Sequence, residues 1–161
     1  DSTLRYARRS SPRLLTFDYH QHAYYFITTC VKDRQLLFGH VNGFELTLNE
    51  LGLIVDEVWN GLSNHYEEIH LDSSVVMPNH FHGIVAIHDH PDDVGHGLSE
   101  IVRGFKTFSA RRINKYRGTP GVNVWQRSFY DHVIRDDRDL DRIREYIEHN
   151  PARWHEDRFF E

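Results

Sequence analysis

Cysteine is almost missing from this chain of 161 residues: Cys30 stands alone. A single thiol cannot close an internal disulfide, which excludes the stapled scaffolds of small secreted proteins. Its setting, Ile27-Thr28-Thr29-Cys30-Val31, reads as a strand in which the thiol acts as a small buried apolar side chain. Long apolar runs are missing as well. Nothing approaches the roughly 20 residues that span a bilayer, and no charged segment followed by an apolar one opens the chain in the manner of a secretion signal. No membrane partner is therefore expected, and the cytoplasm is the expected compartment. The 5 prolines and 10 glycines are too scattered to make a linker, and no segment repeats. One domain is the simplest organisation, long enough to bury a core. An excess of positive charge is also lacking: 19 Lys and Arg face 24 Asp and Glu, a net charge of −5. Taken as a total, that argues mildly against a nucleic-acid binder.

Distribution outweighs the total. Arg103, Lys106, Arg111, Arg112, Lys115 and Arg117 lie between Ile101 and Arg117 with no acid among them. The acids collect at Glu67-Glu68, from Asp89 to Asp93 and from Asp136 to Glu145. The basic run has two readings, a solvated helix face or a set of contacts to DNA phosphates, which position a protein without specifying sequence. Residues 1–20 carry Arg5, Arg8, Arg9 and Arg13 around Ser10-Ser11-Pro12 and read as a flexible basic arm, with a plain disordered terminus equally open. Residues 21–161 form the domain.

Aromatic and β-branched residues are plentiful, and they mark the elements. Ala23-Tyr24-Tyr25-Phe26-Ile27-Thr28-Thr29-Cys30 predicts a central strand, and Asn42-Gly43 a tight hairpin. Asn49 is placed to cap a helix over about 50–62, with Leu51, Ile54, Val55, Val58, Trp59 and Leu62 as its apolar stripe. Residues 69–77 and 80–87 predict two strands joined tightly at Pro78-Asn79. Asp89 to Gly97 reads as an exposed loop, and Ser99 as the cap of a second helix to about Tyr116. Trp125-Gln126-Arg127 and Phe129 to Ile134 supply a last strand, and Asp137 to His149 a last helix stopped by Pro151. The order β-α-β-β-α-β-α implies a ferredoxin-like α+β sandwich, an antiparallel sheet with helices packed on it and a C-terminal helix.

One stretch carries chemistry: Val75-Val76-Met77-Pro78-Asn79-His80-Phe81-His82-Gly83-Ile84-Val85. In a strand, positions i and i+2 share a face. His80 and His82 then project together while Phe81 enters the core on the other side. Two imidazoles on a rigid strand can hold a divalent metal, although with 13 histidines in the chain two surface residues could meet there by chance. Tyr146 and Asn150 are i and i+4 on the last helix, hence neighbours on one face. On periodicity alone Tyr146 is equally well a core tyrosine. Trp125 leans towards the core, with Gln126 and Arg127 left to face DNA. His65, His70, His88, His90 and His96 read as surface residues.

Met77-Pro78-Asn79-His80-Phe81-His82 resembles the His-hydrophobic-His signature of single-tyrosine transposases, closest to the REP-associated tyrosine transposases. Tyr146-Ile147-Glu148-His149-Asn150-Pro151 resembles the Tyr-Ile-x-x-Asn-Pro motif on their catalytic helix. Tyr25-Phe26-Ile27-Thr28, Leu37-Phe38-Gly39, Arg103-Gly104-Phe105-Lys106 and the run from Val124 to His132 look like family segments in the same order. The resemblance spans about residues 20–155. It implies that Tyr146 is a nucleophile attacking phosphorus, and that His80, His82 and Asn150 ligate Mg²⁺ or Mn²⁺. It further implies single-stranded or hairpin DNA as the partner, a 5′-phosphotyrosine and a free 3′-hydroxyl as products, and a nucleoid-associated location. The short tail after Pro151 departs from longer relatives. Monomer and homodimer both remain open. Two other readings stand beside this one: a metal-dependent hydrolase in which His80 and His82 activate water, and a non-catalytic DNA-binding descendant.

Overall fold

The computed structural model describes residues 4–5, 22–88 and 97–156. Of the expected N-terminal arm this includes only Leu4–Arg5, a two-residue strand β1; the rest of the arm, and residues 89–96 of the expected loop, lie outside the described residues. The central strand is β2, His22–Cys30. Next come β3, Gly39–Asn42, and β4, Glu45–Leu48, which turn at Gly43 with φ +65°, a left-handed conformation that favours glycine. β1 pairs with β4 through Leu4 and Leu48, so the small sheet runs β1-β4-β3.

Helix α1, Glu50–Asn60, starts as the sequence leads one to expect: Gly52 N–H donates to the Asn49 side chain at 3.0 Å. Its stripe of Leu51, Ile54, Val55, Val58 and Trp59 is buried. β5, Ile69–Met77, and β6, His80–His88, meet at a turn of only Pro78 and Asn79. That turn is anchored from outside the hairpin. Leu37 and Phe38 donate to the Pro78 carbonyl, and Val31 donates to that of Asn79, at 2.9–3.0 Å.

α2, Leu98–Arg117, corrects one expectation. Gly97 is its cap and makes no side-chain bond, while Ser99 lies within the first turn. Leu98 packs against the core, so burial of that side chain carries the helix start past the serine. Gly118, at φ +68°, closes the helix with its N–H on the Asn114 carbonyl. The last strand, β7, covers Tyr130–Ile134 only. Trp125 makes a single bridge to Val31, and 126–128 is not strand, because those carbonyls are taken by Lys106. α3, Asp137–His149, is capped by Asp136, whose side chain accepts from the Asp139 N–H; a 3-10 segment, Pro151–Glu156, follows.

The main sheet runs β5-β6-β2-β7 and every pairing is antiparallel, giving the expected mixed α+β sandwich. Alternation sorts its two faces. On one, Phe81 meets Trp59 of α1 at 4.7 Å and Phe105 of α2 at 4.8 Å between ring centroids. Gly83 belongs to this face, and a Cβ there would stand 2.7 Å from the Trp59 ring, so glycine is what lets the indole lie on the strand. On the opposite face α3 packs over Phe26 and His82.

Candidate active site

Register brings the site together. His80 stands opposite Cys30 and His82 opposite Thr28, so the two imidazoles project from the face that α3 covers. Their ring centroids are 4.6 Å apart, and both residues are fully buried. Each ring is fixed by a neighbour. His80 Nδ1 lies 2.7 Å from Asn79 Oδ1, an acceptor, so His80 carries its proton on Nδ1 and presents the Nε2 lone pair. His82 Nδ1 lies 2.7 Å from Thr28 Oγ1, and the half-buried Phe26 ring stacks on it at 5.4 Å. The Asn79 and Thr28 contacts were not anticipated, although Asn79 lies within the quoted motif and Thr28 in the expected central strand.

α3 contributes the other half. The Tyr146 ring stands edge-on to His82 at 5.4 Å and to Phe26 at 6.1 Å, and is 40% exposed. Eight residues further on, Trp154 stacks on His80 at 6.1 Å with 16° between planes. Asn150 lies between these two in sequence and is buried, and its Oδ1 has no hydrogen-bond partner among the described residues. A buried amide oxygen without a donor is costly unless something else meets it, and a hard divalent cation would. By their chemistry imidazole nitrogens and an amide oxygen are donors that Mg²⁺ or Mn²⁺ accepts. Among the described residues no three His, Cys, Asp or Glu side chains are grouped to hold a metal, so any site here is of this mixed kind.

A clamp between distant residues holds α3 in place. β5 is irregular between Leu71 and Ser74, and Asp72 sits in that bulge. Arg144 donates to both its carboxylate oxygens, Nε to Oδ1 at 2.9 Å and Nη2 to Oδ2 at 2.7 Å. The Asp72 side chain is fully buried and that of Arg144 only 13% exposed. The hydrogen bond to Asp72 raises the arginine pKa against the opposing effect of burial.

Two cavities open over Tyr146. One of about 350 Å³ is lined by Phe26, Thr28, His82, Asp131, His132 and Tyr146. The other, about 640 Å³, shares Phe26, His132 and Tyr146 and adds Arg142, Glu145, His149 and Arg153. His132 bonds through Nε2 to Asp139 Oδ2 at 2.7 Å, and Arg142 bonds to the other oxygen of that carboxylate. Partial burial pushes the Asp139 carboxyl up, but the bonds and charges of His132 and Arg142 together outweigh it and hold it below the usual carboxylate range. His132 and Asp139 were given no role in the sequence, where the first lies in the expected last strand and the second in the expected last helix.

The basic residues of α2 lie elsewhere. α2 packs on the face opposite α3, so the structure does not bring Arg103, Arg111, Arg112, Lys115 and Arg117 beside Tyr146. All five are exposed, and Arg112 bonds to Glu57 of α1 at 2.7 Å. Lys106 differs from them. It is half-buried, and its ammonium donates to the carbonyls of Gln126, Arg127 and Ser128 at 2.9, 3.3 and 2.9 Å. Burial lowers its pKa, with a smaller upward pull from Cys30. Its geometry serves the 126–128 loop. Within that loop Arg127 is exposed and Gln126 half-buried, while Trp125 lies in the core with its indole N–H on Ser109. His65 and His70 are exposed and His88 is half-buried; His90 and His96 lie outside the described residues.

Two solved structures share this fold. One is a REP-associated tyrosine transposase bound to a REP hairpin, with TM-score 0.60 and 21% identity over 90% of this chain and 74% of that one. The other is a transposase from Deinococcus radiodurans, with TM-score 0.54 and 18% identity over 85% of this chain and 95% of that one. These two likenesses define a class of fold only. Sequence narrows it: residues 19–150 match the family described as IS200-like transposase, and the chain belongs to that family. A Haemophilus influenzae protein named REP-associated tyrosine transposase is 25% identical, over 84% of this chain and 74% of its own length. An uncharacterized protein of the same organism is 33% identical, over 94% of this chain and 93% of its own.

Proposed function

We propose that this protein is a metal-assisted single-strand DNA endonuclease and strand transferase that cuts near hairpins, with Tyr146 as nucleophile. The carrying observation is the stance of Tyr146, edge-on to His82 with two fifths of its surface open to a cleft. The phenolic oxygen attacks phosphorus, the bond from phosphorus to the 3′-oxygen breaks, and DNA is left joined to Tyr146 through a 5′-phosphate. Attack by another 3′-hydroxyl on the phosphotyrosine reverses the step and joins strands without an external energy source.

His80, His82 and Asn150 would hold the metal, which when bound supplies Lewis-acid stabilisation of charge on the phosphate. The chain does the rest. Asn79 and Thr28 fix the imidazole orientations, Phe26 and Trp154 wall the site, and the Arg144–Asp72 clamp sets the height of Tyr146 over the sheet. A hairpin held by α2 and Arg127 would have to pass its single strand around the β7 edge to reach Tyr146, since the two sites lie on opposite faces. Hairpin DNA as substrate draws support from the solved relative bound to one. A water-activating hydrolase built on His80 and His82 would need carboxylate ligands beside them, and among the described residues no three His, Cys, Asp or Glu side chains are grouped to hold a metal.

The test uses end-labelled single-stranded hairpin DNA with Mn²⁺, read on a denaturing gel. Wild type yields a covalent protein–DNA adduct. Tyr146→Phe keeps the ring and loses both adduct and cleavage. Cleavage by Tyr146→Phe without adduct would replace this mechanism with hydrolysis, and a surviving adduct would move the nucleophile to another tyrosine.

A further inference from the structure

A tyrosine that attacks phosphorus must lose its hydroxyl proton, and His80 and His82, committed to the metal in the reading above, are not free to take it. His132 is placed for that task. It faces Phe26 across the β2–β7 pairing, so it projects from the sheet face that carries His82 and is covered by α3. It lines both cavities that Tyr146 lines. Its Nε2 is tied to Asp139 at 2.7 Å, so in the neutral form of the ring the proton sits on Nε2 and Nδ1 is the basic nitrogen. Asp139 is in turn held by Arg142 and lies in the first turn of α3, the helix that carries Tyr146. A carboxylate-held imidazole thus lines the same two cavities as the Tyr146 ring, and activated nucleophiles in general use a base oriented by a third group. His149 is the other histidine of the larger cavity, but it does not line the smaller one and stands 4.0 Å from Glu145.

We infer that His132, oriented by Asp139, accepts the Tyr146 hydroxyl proton during strand cleavage and returns it during rejoining. In cleavage the proton passes from Tyr146 Oη to His132 Nδ1 as the bond from oxygen to phosphorus forms. The bond to the 3′-oxygen breaks, and that oxygen takes a proton from solvent. In rejoining, the incoming 3′-hydroxyl gives its proton to solvent, the phosphotyrosine bond breaks, and His132 reprotonates the departing phenolate. No oxidant or further reactant is needed. This inference rests on Tyr146 being the nucleophile, and the experiment separates the two.

The full-length protein is used with Mn²⁺ and labelled hairpin DNA, and the single-turnover rate of adduct formation is measured. Absence of any adduct with wild type would remove the underlying reading. Given an adduct, His132→Ala should slow its formation by about 100-fold or more, the usual contribution of a positioned base. Added imidazole should restore part of that rate, since a cavity of about 350 Å³ admits it. Among substituted imidazoles the rescue should rise with basicity, while wild type stays indifferent. Asp139→Asn should slow the reaction less, because the imidazole remains but is no longer held. His132→Ala at wild-type rate overturns the inference. So does a loss that no imidazole rescues, since that marks a purely structural role; thermal melting of the variant checks that the fold is intact in either case.

Discussion

The two faces of the main sheet are made from the same strands and differ in nearly everything else. Ile27, Phe81 and Val85 point one way, onto Trp59 and Phe105, and make a dry contact between aromatic rings. Thr28, His80 and His82 point the other way, and there the buried groups are polar: two imidazoles, a hydroxyl and the Asn150 amide, with an ion pair holding the cover in place. Apolar burial contributes roughly 25 cal/mol per Å² with no demand on direction, so the first face can supply stability. The polar face has to satisfy each group geometrically and contributes little by comparison. The alternation of a strand lets one element do both, with a single residue step separating core from chemistry.

The widest break of this division comes from the dry face. Trp59 is fully buried against Phe81, Phe105 and Gly83, so Trp59→Ala should cost about 3–5 kcal/mol. Urea denaturation would measure it. At temperatures where the variant stays folded, its adduct yield with hairpin DNA should match wild type, because no atom of the α3 face is altered. A stability loss below about 1 kcal/mol would mean that this face is not the main source of stability.

On the other face the corresponding break is Arg144→Ala. Removing the guanidinium takes the cation from the buried Asp72 carboxylate, which keeps the Ser73 N–H, at a cost of about 3 kcal/mol. Here, unlike Trp59→Ala, the catalytic rate should fall along with stability, since the clamp positions Tyr146. Denaturation and single-turnover kinetics on one preparation give both numbers. Replacing Asp72 by Asn together with Arg144 by Met removes both charges, and should recover stability without recovering rate.

The proposed metal sharpens the contrast without any activity measurement. Mn²⁺ at one hundred times its dissociation constant should stabilise wild type by about 2.7 kcal/mol through mass action. His82→Ala and Asn150→Ala should each lose most of that increment, and Trp59→Ala should keep it. An equal Mn²⁺ response in His82→Ala would remove these residues as ligands.

How much of this could be read from the sequence follows the same division. The dry face was legible because its signal is periodic: Leu51, Ile54, Val55, Val58 and Trp59 announce α1, and β2 announces itself by composition. The His80-Phe81-His82 alternation and the Tyr146–Asn150 spacing were legible for that reason too. What escaped was non-local. The Asp72–Arg144 clamp joins residues 72 positions apart through a bulge that a strand pattern does not reveal. His132 and Asp139 are seven residues apart, but a strand end and a helix cap lie between them, and only the fold turns them towards each other. Lys106 shows the reverse. Its place in a basic run suggested phosphate contact, whereas partial burial directs its three donors to a loop. Charge patterns carry no record of depth.

The smallest expected effect concerns that basic run. If α2 contacts DNA phosphates, binding should weaken with salt, each contact adding about −0.7 to the slope of log affinity against log salt for single strands. The structure divides the six cations by what else they do. Arg103, Arg111, Lys115 and Arg117 are exposed, Arg112 already shares Glu57, and Lys106 is engaged by three carbonyls. Arg111→Gln should therefore flatten the slope by about 0.7. Arg112→Gln should flatten it less, because the salt bridge competes with phosphate for the same guanidinium. Lys106→Met should leave the slope alone and instead lower affinity at every salt concentration, by releasing the loop that presents Arg127. Hairpin binding titrated at several salt concentrations with cleavage blocked by Tyr146→Phe gives all three slopes. If they prove equal, phosphate contact is spread evenly along α2; if none departs from wild type, the helix is a solvated face and the DNA path lies over the α3 face alone.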